Sequence, residues 1–257
     1  MRVYECLLYF FIYGFLGWCT EVAFAGFKEK RFVNRGFLNG PICPIYGVGV
    51  TSVVLLASSL EQQVLLLYLF SAVLVTVLEL LTGFLMDKLF HHKWWDYSTL
   101  PFNIGGYVCL PFSVLWGGAC VFIIKGIHPL IRGLVQRIPR TVVIVLLLVL
   151  GGLLISDIVV TTIAVSKLNK KLERMNRIAK DLHELSDKLG ENIYEKVMDT
   201  VELQEKIKKL REDYQNESKG SFLQKRMLRA FPKIESRKYK ERLNDLKGKL
   251  MNLKDFR

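Results

Sequence analysis

Three carboxylic acids stand inside apolar runs: Glu21 in "GWCTEVAFAG", Glu79 in "LELLTG" and Asp157 in "LLISDIVV". An acid at membrane depth is costly unless it faces protein, water or a partner, so such residues mark cation paths, proton relays or interhelical hydrogen bonds. Asp157 has hydroxyl neighbours in Ser156, Thr161 and Thr162, which points to a neutral acid bonded within the bundle. Glu21 and Glu79 each sit beside a threonine (Thr20, Thr82) and close to a glycine, and lead into two unusual connections.

The first connection, "NRGFLNGPICPIYG" at Asn34–Gly47, is too rich in glycine and proline for plain helix and too apolar for a free loop. Non-helical backbone of that kind survives at membrane depth only where protein or a water-filled cavity satisfies it, so a re-entrant or tightly packed segment is expected. Arg35 is either a counter-charge for Glu21 or Glu79 or one more basic residue of an inner loop. The second connection, "KWWDYSTLPFNIGG" at Lys93–Gly106, combines rings suited to the headgroup level with hydrogen-bonding groups. Trp94 reads as a membrane anchor. Asp96 and Ser98 either cap a turn or close a cavity over the acids, while Asn103, Gly105 and Gly106 let the chain re-enter closely packed. The second connection thus reads as the lid of a polar pocket that the acids line.

The elements that must position these groups are helices crossing a bilayer. The chain has 257 residues, 51% of them hydrophobic, with net charge +12 and a mean hydropathy of +0.26. Its apolar residues gather into runs near 4–27, 44–60, 64–86, 107–130 and 141–165, against the roughly 20 residues that a crossing helix needs. The expected fold is an all-α polytopic membrane protein of about five spans. The expected division is a transmembrane domain at 1–165 and a charged helical tail at 166–257. Spans one, three and five run the same way, and Glu21, Glu79 and Asp157 fall six, seven and eight positions before their ends. All three thus lie roughly 9–12 Å inside one face. Lys167, Lys170, Lys171, Arg174 and Arg177 after the last span predict a cytoplasmic C-terminus. Lys28, Lys30, Arg31 and Arg35 agree with that orientation. Arg132, Arg137 and Arg140 do not, unless 127–138 lies flat at the interface. The first span resembles a signal peptide only superficially, since Glu21 falls within it and Arg2 alone precedes it.

In the tail, Leu168, Leu172, Met175, Leu182, Leu185, Leu189, Ile193 and Val197 recur at helical spacing, and Tyr239, Leu243, Leu246, Leu250 and Leu253 share a face of a last helix. A helical hairpin or coiled coil follows, with breaks at Asn216–Gly220 and also at Gly190. Acids alternate with its bases and aromatic residues are sparse, which suits an anionic leaflet and argues against nucleic acid. Cys6, Cys19, Cys43, Cys109 and Cys120 include no Cys-x-x-Cys pair, and the adjacent His91 and His92 face different ways on a helix, so no metal or cofactor is expected. No P-loop and no Gly-x-Ser-x-Gly element occurs, so any ATPase would be a separate chain and no catalytic residue is assigned.

A partial duplication relates the halves: Glu21 with Gly26 and Glu79 with Gly83, then Asn34–Gly36 leading to Cys43-Pro44 and Asn103–Gly106 leading to Cys109–Pro111. Parallel repeats of this sort occur in transporters. With "GWCTEV", "NRGFLNGPICPIYG", "LELLTG", "WWDYS" and "PFNIGGYVCLPFSVLWG" in order over most of 8–120, the chain resembles the bacterial CmpB-like family labelled type IV ABC-transporter permeases. "WDYS" is more distantly similar to the vertebrate transmembrane protein 229 group, and "RAFPKIESRKYKERL" looks like the CmpB-like family's ending. The resemblance implies a multi-pass protein of a bacterial plasma membrane whose motif cluster, the candidate polar pocket, is Glu21, Asn34, Arg35, Glu79, Trp95, Asp96, Tyr97 and Asn103. It implies a permease-like component whose ATPase, where ATP is used, is a separate subunit. Five spans are few for a pathway, so a homo-oligomer or other partner is expected too. Two other functions stay open: a membrane-embedded enzyme that modifies lipids, and a non-catalytic scaffold or regulator whose tail recruits a cytoplasmic partner.

Overall fold

The computed structural model describes residues 2–192 and 197–252. The chain is an all-α polytopic protein that falls into two compact units, Met1–Thr161 with Arg229–Ile234, and Thr162–Leu228 with Glu235–Arg257. Ile193 and Leu253 of the predicted apolar stripes lie outside the described residues, as do the side chains of Leu189 and Val197.

In the first unit, α1 (Val3–Glu29) and α3 (Val64–Phe90) have 27 residues each, and α2 (Pro44–Leu56) and α4 (Leu110–Phe122) have 13 each. Each long helix ends on a left-handed residue, Lys30 (φ 53°) or His91 (φ 58°). Each short helix starts after an extended cysteine, Cys43 or Cys109, with proline in its first turn. Proline fits there because those amides have no helical acceptor in any case. α1 packs on α2, and α3 on α4. Glycines set the closeness of both crossings: a Cβ at Gly14 would stand 2.8 Å from Ile42, one at Gly47 2.5 Å from the Phe10 carbonyl, and one at Gly117 2.9 Å from Ala72. Equal helix lengths and matching caps give the sequence duplication a structural counterpart.

The second of the five expected spans is corrected. At about 1.5 Å per residue, the 13 residues of α2 fall well short of a hydrocarbon layer about 30 Å thick. Among the described residues, four helices are long and apolar enough to cross: α1, α3, the stretch Leu110–Gln136, and the first part of α6 (Arg140–Asn192). The third of these is interrupted. A π-helical stretch, Ile123–Ile127, joins α4 to α5 (His128–Gln136). Pro129 lacks an amide proton and its ring would strike the carbonyl four residues back, so the turn before it widens. The stretch predicted to lie flat is thus continuous with the preceding helix; along α5, Val135 is buried and Arg132 and Gln136 are exposed.

Tyr9, Tyr13, Val53, Leu67, Cys120, Ile124 and Val143 meet in the core at one end of these helices. Tyr13 Oη and His128 Nδ1 share a 2.8 Å hydrogen bond beside it.

In the second unit, the rest of α6 runs beside α7 (Val197–Glu217) as an antiparallel hairpin: Lys171 bonds the Lys219 carbonyl, and Arg174 meets Glu217 at 3.2 Å. Gly190 does not break α6, which continues to Asn192, whereas Asn216–Gly220 does divide α7 from α8 (Phe222–Ala230). Leu168, Leu172 and Met175 of the predicted stripe are fully buried, and so are Leu243 and Leu246 on α9 (Lys240–Asn252). Leu182 and Leu185 are only half-buried.

Candidate functional site

Glu21 lies on α1 where Gly17, one turn earlier, leaves room for a ring from α2. Tyr46 fills it: a Cβ at Gly17 would collide with the tyrosine, and Tyr46 Oη donates a 2.6 Å bond to Glu21 Oε1. Arg35 reaches the other oxygen from the first connection, Nε to Oε2 3.6 Å, with its guanidinium 5.4 Å from the Phe24 ring centre. Both members of the ion pair are about a quarter to a third exposed.

Glu79, on α3, is buried. Tyr97 Oη approaches its Oε1 at 3.4 Å, the indole of Trp116 on α4 interacts with the same carboxyl, and Oε2 has no hydrogen-bond partner among the described residues. The Trp116 ring meets that of Tyr46 edge-on at 5.8 Å, and Tyr97 stacks on Phe112 at 4.8 Å. The two acids are thereby linked in one sequence of groups: Glu21, Tyr46, Trp116, Glu79, Tyr97. The Tyr97 phenol is pushed above its ordinary range, first by burial and then by the carboxylate of Glu79, with a smaller contribution from Glu21. It feels both acids at once.

Four of the eight candidate residues, Glu21, Arg35, Glu79 and Tyr97, therefore belong to one cluster. The other four organise the connections. Asn34 accepts from the Trp18 indole (2.8 Å) and the Gly36 amide (3.1 Å) and donates to the Asn39 carbonyl (2.8 Å). Asn103 does the same in the second connection, donating to Leu100 and accepting from Gly106, and it flanks a short antiparallel ladder pairing Asn103 with Cys109 and Ile104 with Val108. Gly105 and Gly106 take φ of +60° and +72°, which favours glycine. Asp96 pairs with Lys93 at 2.6 Å and caps Ser98 through its amide and hydroxyl. Trp95 donates to the Tyr107 carbonyl at 2.8 Å and covers Gly83.

One reading from sequence is overturned and another is extended. Trp94 is no lipid anchor: it is 3% exposed, with Phe37 at 4.9 Å and Phe231 at 5.0 Å between ring centres. Asp157 does not depend on its helical neighbours alone. Its Oδ1 accepts from the Asn39 amide (3.0 Å) and side chain (2.8 Å) and from Thr161 (3.3 Å), and its Oδ2 accepts from the Gly40 amide (2.7 Å). It clamps the first connection and stands apart from the cluster of Glu21 and Glu79.

Tyr46, Trp116 and Asn39 escaped sequence reasoning. The available signal was the small residue at Gly17, four positions before Glu21, which marks where a ring from a facing helix can enter. Asn39 offered only its place among glycine and proline.

Among curated proteins and among solved structures, nothing matches the chain, and the distant likeness to the vertebrate transmembrane protein 229 group gains no support there. A family match does cover residues 8–162, a segment that holds every residue of the cluster and the Asp157 clamp. The chain belongs to the family described as "Putative ABC-transporter type IV".

Proposed function

We propose that the chain is the permease-like membrane component of a transporter, with the Glu21–Tyr46–Trp116–Glu79–Tyr97 cluster and Arg35 as its working site. The observation that carries this reading is the buried Glu79 carboxyl, of which one oxygen lacks a hydrogen-bond partner among the described residues. A buried acceptor left open is expensive, and its retention suits a group that receives a proton or cation in turn. Carboxyls each hydrogen-bonded to a phenol, and joined across the helix pairs by the Tyr46–Trp116 ring contact, suit passage of small cations or protons. In this proposal the site lies toward the cytoplasmic side, the tail is cytoplasmic in a bacterial plasma membrane, and ATP hydrolysis, where used, belongs to a separate subunit. A second copy of the chain would complete the path.

The test is flux. Cells expressing the chain, loaded with a pH-reporting dye and offered a panel of labelled inorganic and organic cations, should lose the chain-dependent flux when Glu79→Gln or Glu21→Gln is introduced at equal membrane abundance. Flux of every solute and of protons unchanged in both variants would remove the transport reading. A second reading, the tail as a recruiting arm, is favoured by one observation: Ala230 and Ile234 are fully buried and Phe231 packs on Trp94, within the first unit. Phe231→Ala that keeps flux but loses a co-purifying cytoplasmic protein would support it.

A further inference from the structure

We propose that the hairpin's opening turns form a binding recess for the phosphate group of an anionic phospholipid. Lys167, Lys170, Lys171, Arg174 and Lys219 line a recess of about 490 Å³ within the second unit. One carboxylate, Glu217, shares it and is engaged by Arg174 at 3.2 Å. Five cations against one acid repel each other across the recess, and an anion seated between them turns that repulsion into attraction. Two of the cations are held in place. Lys171 donates to the Lys219 backbone carbonyl, which leaves its ammonium with further protons to give, and Arg174 is fixed by Glu217.

The start of α8 does not supply the ligand. The Ser221 amide bonds Gln224 Oε1 at 3.0 Å and the Gln224 amide bonds Ser221 Oγ at 3.3 Å, so the helix caps itself. Recognition rests on the side-chain cations.

Position favours a lipid as the source of the phosphate. The cluster starts two residues after Val165, the last residue of the apolar run, on the same uninterrupted helix α6. Basic residues at that place lie at headgroup depth and attract anionic lipid by about 1 kcal/mol, or fivefold, per charge. The recess adds to a diffuse basic collar a concave site formed by two antiparallel arms.

The test uses the purified full chain in neutral detergent, with native mass spectrometry counting retained phosphatidylglycerol or phosphatidylcholine. Lys167, Lys170 and Lys219 are exposed, so the triple variant Lys167→Gln, Lys170→Gln, Lys219→Gln should fold, checked by its helical circular dichroism. It should bind phosphatidylglycerol roughly a hundredfold more weakly than the parent, with phosphatidylcholine unchanged. A control variant, Lys208→Gln, Lys209→Gln, Arg211→Gln, removes the same charge from exposed positions elsewhere on α7 and should leave phosphatidylglycerol binding within a factor of two or so of the parent. Equal losses in both variants would reduce the effect to net charge and overturn the recess. Equal retention of the two lipids by the parent would do the same. Displacement of phosphatidylglycerol by inorganic phosphate alone would overturn the lipid assignment in favour of a soluble phosphate ligand.

Discussion

Asp157 and Glu79 are both acids in spanning helices, and the chain treats them in opposite ways. Asp157 accepts from two backbone amides, an asparagine side chain and a threonine, each within 3.3 Å. Glu79 has a long contact with Tyr97 at 3.4 Å, the nearby indole of Trp116, and one oxygen without a hydrogen-bond partner among the described residues. The first arrangement saturates a carboxyl and uses it to pin a loop of awkward sequence. The second leaves a carboxyl short of donors in a ring of aromatic side chains. A membrane acid therefore does not by itself announce function. What separates the two is whether their acceptors are already spoken for.

The largest effect expected from breaking this comparison is on stability. Asp157→Ala orphans the amides of Asn39 and Gly40 together, and buried groups left unpaired cost about 1–3 kcal/mol each. A total near 3 kcal/mol is expected, read as a lowered midpoint of thermal unfolding in detergent. Glu79→Gln is nearly isosteric and keeps a carbonyl oxygen to accept from Tyr97 and Trp116, so its change should stay within about 1 kcal/mol while it removes flux. If Glu79→Gln destabilises as much as Asp157→Ala, the two acids do the same work and the distinction fails.

Next in size are the glycines that let the helix pairs close. Gly17→Ala sets a methyl against Tyr46, in a crossing with no room for it, and overpacking of this kind costs about 1–3 kcal/mol. Because Tyr46 carries the bond to Glu21, flux should fall too. Gly152→Ala on α6 meets nothing within 4 Å and should be neutral or stabilising by up to about 1 kcal/mol, through helix propensity. Thermal midpoints that move the same way in both variants would show that propensity, not the crossing, decides at Gly17.

How much of this was legible in the sequence follows from what each feature depends on. The long helices were, because sustained apolar runs leave no alternative to helix in a bilayer. The shortness of α2 was less so: Ala57–Leu60, Ala-Ser-Ser-Leu, holds no charge, proline or glycine to mark a stop, and only the Ser58–Leu60 turn shows where the helix ends. Arg35 was legible only as a counter-charge for Glu21 or Glu79 or as one more inner-loop base, and the choice of Glu21 depends on the fold. Tyr46 and Trp116 were not read, since an aromatic residue in an apolar helix carries no mark of which way it faces. The Asp157 clamp was out of reach for another reason. Its partners are backbone amides 117 and 118 positions away, and an amide has the same chemistry at every residue. Trp94 was misread because a tryptophan beside a span fits a headgroup layer as well as it fits a cluster with Phe37 and Phe231.

The smallest effect lies in the second connection, where the same contrast recurs at the surface. Burial alone would raise the Asp96 carboxyl, but the Lys93 ammonium and the Ser98 amide and hydroxyl outweigh it and hold it below its ordinary range. A carboxyl depressed in the folded state contributes stability above the unfolded carboxylate range and loses it as pH falls through the folded value. Asp96→Asn should therefore cost about 1 kcal/mol or less at neutral pH and nothing once Asp96 is protonated in the parent. The cost stays small because the Gly105 carbonyl (3.1 Å) and the Tyr107 ring still hold Lys93. Thermal midpoints of parent and variant, followed from neutral to acid pH, should converge below the carboxylate range. Curves that stay parallel throughout would mean that Asp96 shapes its turn by geometry alone and that its charge contributes nothing, unlike the carboxyl of Asp157 that it otherwise resembles.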